Sequence, residues 1–332
     1  MNIPLNNREN FYSERLVGYY RQMYYEVVDS LSHGNSNVRF SVPSVDSDFN
    51  DRVKEVLEAV FYGNPELFFV GQDVSVSYDG EAVNFAFPKK YSGENLIELW
   101  GKLDAELNRI AEKANAITNM FDRIHRVNKY LCARVKPEAS STSCEDAYGA
   151  LILKSARCEG FAKAAKLIFD RVGVQSIIAF GEAQGNGDKE EHAWNIVRYK
   201  DNFYHFDFTW NAAAFNHGIP GQEYAFLNDD TAFIDHSPKY VYPACTDEKR
   251  MFWVKHNGLV VYHSDLSRID IVPFGNNFLA IAKFKNPVSQ SELDEEAFKW
   301  LKNELSCYNY ASNVSYSFYP RLNVISFYFI NE

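Results

Sequence analysis

Hydrophobic positions in the first third of the chain recur with two periods. A spacing of about three to four residues predicts helices at 8–32 and 48–62 and a helical pair at 96–114 and 119–133. Alternation of apolar and polar residues predicts a strand at 38–42 and a hairpin of 66–78 and 82–87, turning at Asp79 and Gly80. The pattern indicates an N-terminal region of the α+β class.

The middle of the chain is predicted to combine helices with a hairpin. After a short helix at 145–154, small and apolar residues predict a helix that begins at Cys158 and ends at Gly173. An apolar run predicts a strand at 174–180. Two further strands, 192–199 and 202–208, are predicted to be joined by a tight turn at Lys200 and Asp201.

The C-terminal part repeats the order of elements seen near the N-terminus. A strand at 278–284, a helix at 291–305 and a closing hairpin of 314–319 and 324–330 are predicted. This β-α-β-β order matches that of residues 38–87, so we hypothesise a shared structural unit at both ends. The predicted organisation is therefore an N-terminal α+β region (1–115), a catalytic core (116–250) and a C-terminal α+β domain (251–332).

The composition of the 332-residue chain limits which classes of binding partner are expected. Net charge is −10, with both signs interspersed and no basic stripe, which argues against nucleic acid as a partner. No apolar run is long enough to cross a bilayer, so no membrane insertion is predicted. The N-terminus lacks signal-peptide features, so a cytoplasmic location is expected, or an extracellular one if a signal peptide has been removed. Five scattered cysteines without CxxC spacing suit reduced thiols, and neither a metal nor a cofactor is predicted.

Three short segments carry the chemical information of the chain. They are residues 155–162, 191–195 and 204–210, and they contain Cys158, His192 and Asp207 in that order. A thiol, an imidazole and a carboxylate are the groups needed for a nucleophile, its base and the group that orients the base. A cysteine in the first turn of a helix meets unpaired backbone N–H groups, which favour a thiolate. A buried structural cysteine is the alternative.

Strand parity allows the imidazole and the carboxylate to meet. If Lys200 and Asp201 form the turn, Asp207 faces Trp194, and His192 lies two residues away on the same face. A register slip of one residue would separate them. The same parity puts His205 on the opposite face as a structural residue. We interpret His236 as a loop histidine that caps local backbone.

These motifs resemble the bacterial transglutaminase-like superfamily. Its pattern is Cys-x-Gly-aromatic-Ala, then His-Ala-Trp-Asn, then Asp-x-Thr-Trp, and the similarity covers about residues 121–245. The resemblance implies a papain-like core, with the cysteine helix packed on an antiparallel sheet. It also implies that Cys158, His192 and Asp207 form the catalytic triad, while Trp194, Asn195 and Trp210 are structural. The chain departs from the family at Asn128, where histidine is usual, and at Arg157, where a small or apolar residue is usual.

The triad predicts acyl transfer at amide or peptide bonds through a thioester. The backbone N–H of Cys158 and the side chain of Tyr148 are candidate oxyanion donors. The partner would be a peptide or protein substrate, and hydrolysis is a simpler outcome than cross-linking. The alternative is a binding module that retains the fold without turnover. A zinc site at the three triad residues lacks a fourth ligand at any standard spacing.

Overall fold

The protein is described here by a computed structural model. The described residues are 3–5, 9–42, 45, 47–138, 145–185, 187–217, 221–252, 259–261, 271–274, 277–284, 288–289, 291–295, 297, 299–300, 313–319, 322 and 324–330. The chain divides into two compact units. The first consists of Met1–Arg123 and Glu138–Ile178, and the second of Ile124–Pro137 and Ala179–Glu332. The predicted core, 116–250, is thus distributed over both units, and its outer boundaries stay a prediction.

The first unit is mainly helical. Its helices are α1 (Phe11–Arg15), α2 (Gly18–Ser32), α3 (Phe49–Gly63), α4 (Leu96–Asn115), the first turn of α5 (Met120–Arg134) and α6 (Cys158–Arg171), with a π-helical turn at Gly149–Leu153. Its sheet has strands β1 (Asn37–Ser41), β2 (Ser75–Tyr78) and β3 (Ala82–Ala86) in the order β1-β3-β2. Helices α2 and α3 bury the apolar stripes that their sequences present, for example at Val27 and Val56.

Three predicted elements of this unit differ from those observed. The strand predicted over 66–78 is wrong over 66–74, because only Ser75–Tyr78 forms a strand and the residues before it are turns and irregular chain. The single helix predicted over 8–32 is wrong, because the chain is extended at Leu16 and Val17 and resumes as α2 at Gly18, whose φ is +58°. Arg21 donates to the carbonyl oxygens of Ser13 and Leu16 across this break. The helix predicted at 145–154 is observed over residues 147–153, mostly as the π-helical turn, and it ends where Lys154 adopts a left-handed conformation.

The second unit contains two sheets. Strands β6 (Ser176–Ala183, of which Ala179–Ala183 belongs to this unit), β7 (Glu190–Tyr199), β8 (Asn202–Phe206) and β9 (His236–Pro238) form one sheet in the order β8-β7-β6-β9. The β7–β8 hairpin has the predicted turn and register, with Tyr199 opposite Asn202 and Asn195 opposite Phe206. Helices α7 (Phe208–Asn216) and α8 (Asp229–Ala232) follow β8. The short strand β4 (Lys136–Pro137) of this unit lies outside these sheets, and the short strand β5 (Ser155–Ala156) belongs to the first unit.

The other sheet is built from the C-terminal residues. Its strands are β10 (Leu259–Val261), β11 (Val272–Phe274), β12 (Asn277–Phe284), β13 (Asn313–Tyr319) and β14 (Val324–Ile330). β12, β14 and β13 are successive antiparallel neighbours, and residues 291–295 are helical. In β1-β3-β2, too, the first strand pairs with the last and all pairs are antiparallel. The hypothesised β-α-β-β unit therefore has the same strand order at both ends of the chain.

Helices and mostly antiparallel sheets occur together, so the predicted α+β class is confirmed. Among the helices in the described ranges, none is long and apolar enough to cross a lipid bilayer. Cys144 and Cys307 lie outside the described residues, whereas Cys132, Cys158 and Cys245 are free thiols.

Candidate active site

His192 and Asp207 meet as the hairpin register predicts. His192 Nε2 lies 2.8 Å from Asp207 Oδ2, across 15 residues of sequence. The His192 side chain is 10% exposed and that of Asp207 is 2% exposed, so water screens the pair weakly. The His192 ring also packs against Trp210, with ring centroids 5.4 Å apart. One imidazole nitrogen is therefore committed to the carboxylate, and Nδ1 is the nitrogen that would exchange a proton with another group.

Asp207 is held by the start of a helix. It is the N-cap of α7, and its Oδ1 accepts hydrogen bonds from the backbone N–H groups of Thr209 (2.9 Å) and Trp210 (3.1 Å). Burial alone would raise the pKa of Asp207, but the charge and hydrogen bond of His192 and the hydrogen bond of His236 hold it well below its usual value. The motif Asp-Phe-Thr-Trp thus supplies an ionised carboxylate whose Oδ2 contacts His192 and His236.

The interpretation of His236 as a loop histidine is wrong. His236 begins β9, is 2% exposed, and places Nε2 3.3 Å from the same Asp207 Oδ2 that His192 contacts. Its Nδ1 lies 2.5 Å from Asp235 Oδ1. Burial would lower the pKa of His236, but the hydrogen bonds to Asp207 and Asp235 outweigh burial and raise it. The sequence carries no periodic signal for this contact, because His236 lies 29 residues beyond Asp207.

A glycine in β6 lets β9 approach and seats His236. β9 pairs with β6, with His236 opposite Ala183. A Cβ on Gly181 would lie 2.1 Å from the backbone oxygen of Ser237 and 2.9 Å from the backbone nitrogen of Lys239. Contacts that short do not occur with backbone atoms, so only glycine fits at this position without movement of β9.

A chain of buried hydrogen bonds ends at Asp235 Oδ2, the oxygen that does not contact His236. The Tyr224 hydroxyl donates to Asp235 Oδ2 at 2.7 Å, and the Tyr224 backbone N–H donates to Asn211 Oδ1 at 2.9 Å. Asn211 Nδ2 donates to Asn128 Oδ1 at 3.1 Å, and Asn128 Nδ2 donates to the Gly221 carbonyl oxygen at 2.7 Å. Asn128, a departure from the family pattern, therefore braces the segment that carries Tyr224.

A second thiol, imidazole and carboxylate set surrounds His205 of β8. His205 is buried, as predicted for a structural residue, but the prediction of an opposite face is wrong, because residues 205 and 207 have the same strand parity and His205 pairs with Ile196, two residues from Trp194. Its Nε2 lies 2.8 Å from Asp229 Oδ1, and its Nδ1 accepts from Trp194 Nε1 at 3.0 Å. Cys245 completes the set, with ligand atoms within 4.8 Å of one another. Burial, helped by the neighbouring Asp229, raises the pKa of the Cys245 thiol, so this thiol is a poor nucleophile.

Both histidine clusters have the residue types of a metal site, and hydrogen bonds occupy the facing atoms of their histidines and carboxylates. The Trp194 N–H occupies the lone pair of His205 Nδ1, so Nε2 carries the proton and points it at Asp229 rather than offering a ligand lone pair. In the cluster of His192, Asp207 and His236, an ionised carboxylate only accepts, so both facing Nε2 atoms donate N–H groups to it. Hydrogen bonds account for both clusters.

Cys158 lies in the first unit and opens helix α6, as predicted. Its side chain is half-buried, and the N-cap residue Arg157 gives the helix no side-chain cap. Arg157 is exposed and pairs instead with Glu145, with Nη1 3.2 Å from Oε1. Since His192 and Asp207 belong to the second unit, the prediction that the three side chains act together stays a prediction.

The neighbour of Cys158 is a half-buried carboxylate that sequence reasoning missed. Glu159 accepts hydrogen bonds from Tyr62 (3.0 Å), Gln72 (2.5 Å) and Lys163 (2.9 Å). Burial would raise the pKa of Glu159, but the Lys163 charge and the three hydrogen bonds lower it. The ion pair to Lys163 spans one turn of α6, a spacing that the sequence shows, whereas Tyr62 and Gln72 are distant in sequence. Glu159 thus fixes the first turn of the helix at the thiol.

Tyr148, the candidate oxyanion donor, packs in an aromatic cluster of the first unit. Its ring stacks on Phe68 at 5.2 Å and meets Tyr91 edge-on at 5.2 Å. Burial raises the pKa of Tyr148, so the hydroxyl stays a neutral donor. A cavity of about 310 Å³ in this unit is lined in part by Phe69, Tyr91 and Leu99, and Cys158 does not line it.

Comparison with known families agrees with the motifs. Residues 108–208 match the model of the transglutaminase-like superfamily. This stretch belongs to the transglutaminase-like superfamily. It contains Cys158, His192 and Asp207, and the predicted resemblance is confirmed. No curated protein sequence matches the chain at a significant level.

Solved structures show more distant similarity. A TGase matches with 15% identity over 52% of this chain and 51% of its own, with a TM-score of 0.31. A candidate cysteine protease from Cytophaga hutchinsonii matches with 14% identity over 41% of this chain and 61% of its own (TM-score 0.28). The periplasmic domain of TgpA from Pseudomonas aeruginosa matches with 15% identity over 42% and 57% (TM-score 0.28). The alignments cover about half to three fifths of each neighbour, and TM-scores this low establish no common overall architecture.

Proposed function

We propose that this transglutaminase-like protein is a cysteine-dependent acyl-transfer enzyme that acts on amide or peptide bonds. Cys158 is the nucleophile, His192 the general base and acid, and Asp207 the residue that orients His192. Peptide or amide hydrolysis is favoured over cross-linking, because water needs no second binding site. The substrate is a peptide or protein, and a reducing compartment such as the cytoplasm keeps the thiol available.

The chemistry divides among the three groups. Cys158 Sγ attacks the carbonyl carbon as a thiolate, while the proton lost from the thiol resides on His192 Nδ1. Collapse of the tetrahedral intermediate breaks the C–N bond, and His192 returns that proton to the leaving amine. Water, deprotonated by His192, then attacks the thioester carbonyl and releases Cys158. The backbone N–H of Cys158 is the proposed oxyanion donor, because the first amides of a helix have no intrahelical partner.

One observation carries this proposal. The carboxylate of Asp207 is fixed by two backbone N–H groups through Oδ1 and holds His192 Nε2 at 2.8 Å through Oδ2. This arrangement selects the tautomer that carries the Nε2 proton and leaves the Nδ1 lone pair as the proton acceptor. The buried Asp207 carboxylate, whose pKa is lowered, supports a role in orienting a base.

Selective alkylation tests the proposal. The protein is treated with iodoacetamide at neutral pH and the adducts are mapped over time by mass spectrometry. We expect Cys158 to react at least about tenfold faster than the buried Cys132 and Cys245, which serve as internal references because burial raises the pKa of each thiol. The advantage of Cys158 should disappear in His192→Ala and persist in His217→Ala, which changes an exposed histidine.

The competing function is a binding module that keeps the fold without turnover. Equal and slow labelling of all the cysteines would favour the module and refute the enzyme. Profiling against a peptide library, with Cys158→Ala as the inactive control, then identifies the bond that is cleaved. Loss of all product in that variant is expected.

A further inference from the structure

We propose that His236 is a positioning residue of this site, a charged imidazolium held between Asp207 and Asp235 that sets the pH range in which His192 works. The inference rests on the proposed function. It concerns a residue outside the family's three motifs and outside the stretch 108–208 that matches the superfamily.

Geometry gives His236 two carboxylate partners. Its Nδ1 lies 2.5 Å from Asp235 Oδ1 and its Nε2 lies 3.3 Å from Asp207 Oδ2. Both hydrogen bonds require an N–H on the ring, because an ionised carboxylate can only accept. An imidazole that donates from both nitrogens carries a positive charge. Since the side chain is 2% exposed, the charge is compensated by these two groups rather than by water.

The charged groups that face His236 come from several elements. Asp207 and His192 approach from the start of α7 and from β7, and Asp235 precedes His236 in the chain. Tyr224 contributes its hydroxyl to Asp235, and His205 is a further titratable neighbour, whose pKa is lowered by burial and by the charge of His236. Opposite His236, β6 presents the uncharged Ala183. The remaining neighbours are the rings of Trp194 and Trp210, with centroids 4.9 and 4.7 Å away.

Because two imidazoles share one carboxylate oxygen, the charge of His236 opposes protonation of His192. The rings of His192 and His236 are 5.6 Å apart. A unit charge at that separation disfavours protonation of its neighbour by about two pH units at an effective dielectric constant of about 20. Asp235, on the far side of His236, cancels part of this. We therefore expect the His236 charge to displace the pH profile of the Cys158–His192 pair downward by about half a unit to one unit.

His236→Gln provides the test, because the glutamine amide retains an N–H donor and removes the charge. The rate of Cys158 alkylation by iodoacetamide is measured from about pH 4 to 10 for the wild type, for His236→Gln and for His217→Gln. We expect both inflections of the profile to move to higher pH by at least about half a unit in His236→Gln only. Circular dichroism and a thermal melt show whether the variant is folded.

A second measurement needs no variant of His236. Imidazole ¹⁵N NMR of the wild type reports protonation of each histidine directly. We expect one histidine to keep both N–H groups at pH 8, and Asp235→Asn, which removes one carboxylate, to bring that titration down toward neutral pH. A wild type without a histidine that is protonated at pH 8 overturns the inference.

The two proposals fail in different ways. If wild-type Cys158 reacts no faster than the buried cysteines, the proposed function fails, and the role of His236 fails with it. If Cys158 reacts fast and depends on His192 but the profile of folded His236→Gln coincides with that of the wild type, only the positioning role fails. A purely structural role would lower stability without moving the inflections.

Discussion

The Asp207→Asn substitution tests the proposed His192–Asp207 pair most directly. Asparagine keeps the size of the side chain, but its amide must now face either the two backbone N–H donors of α7 or the two imidazole N–H groups with an NH₂ group. Either choice opposes donor to donor. If the NH₂ group faces His192, the ring must accept at Nε2, and its proton moves to Nδ1. The nitrogen proposed to take the thiol proton would then be blocked.

The magnitude follows from the contact distance and burial. Two unit charges 2.8 Å apart interact by about 6 kcal/mol at an effective dielectric constant of about 20. Desolvation of the carboxylate, which is 2% exposed, offsets part of that, so we expect a net loss of about 3–4 kcal/mol in stabilisation of the His192 imidazolium. Because about 1.4 kcal/mol corresponds to a factor of ten, acyl transfer should fall by about 10²–10³-fold.

The assay measures two rates, Cys158 alkylation and peptide turnover, and the largest loss expected differs between them. Alkylation of Cys158 at neutral pH should fall by only about thirtyfold, since an unassisted thiol is still a few per cent thiolate. Turnover of a peptide substrate, which also requires return of the proton to the leaving amine, should show the full loss. The matched control is Asp201→Asn, an exposed carboxylate in the β7–β8 turn, which should change neither rate.

The result that refutes this reasoning is equally specific. If folded Asp207→Asn alkylates and turns over within about twofold of the wild type, Asp207 does not orient the base. If turnover is lost while Cys158 alkylation keeps its wild-type rate and pH profile, Asp207 acts after acylation or through substrate binding. The tautomer argument would then be wrong.

Three further predictions concern the supports of the site. Gly181→Ala, but not Gly187→Ala in open space, should lower the free energy of unfolding by about 1–3 kcal/mol in urea denaturation, because its Cβ collides with the β9 backbone. Glu159→Gln should cost about 2–4 kcal/mol by leaving Lys163 buried without its anion. The lowered pKa of Glu159 gives stability that is present above its unfolded pKa of about 4.3 and lost as pH falls through the folded value, so thermal melts of the variant should lose this acid dependence. Asn128→Ala should cost about 1–3 kcal/mol, and unchanged melting would contradict its bracing role.

Much of the fold could be predicted because its signals are local. The β7–β8 turn lies at Lys200 and Asp201, and from it strand parity correctly brought His192 to Asp207, whereas His205 was assigned to the wrong face. Helix α6 begins at Cys158 because small and apolar residues follow it directly. The single helix predicted over 8–32 is wrong because its apolar spacing continues through two extended residues, Leu16 and Val17. Hydrogen bonds from Arg21 to carbonyl oxygens stabilise this break, and the apolar spacing does not encode them.

The sequence alone determined which chemistry is on offer, namely a thiol, an imidazole and a carboxylate in motifs of the transglutaminase-like superfamily, and which two of them share a strand face. Only the tertiary structure decided the electrostatic setting of that pair. His236 and Asp235 reach Asp207 because β9 crosses beside β6, where Gly181 leaves room for its backbone. Such contacts join residues far apart in the chain, and no hydrophobic period encodes them. Charge and pKa in a buried site depend on those contacts, because burial removes the water that would otherwise screen them.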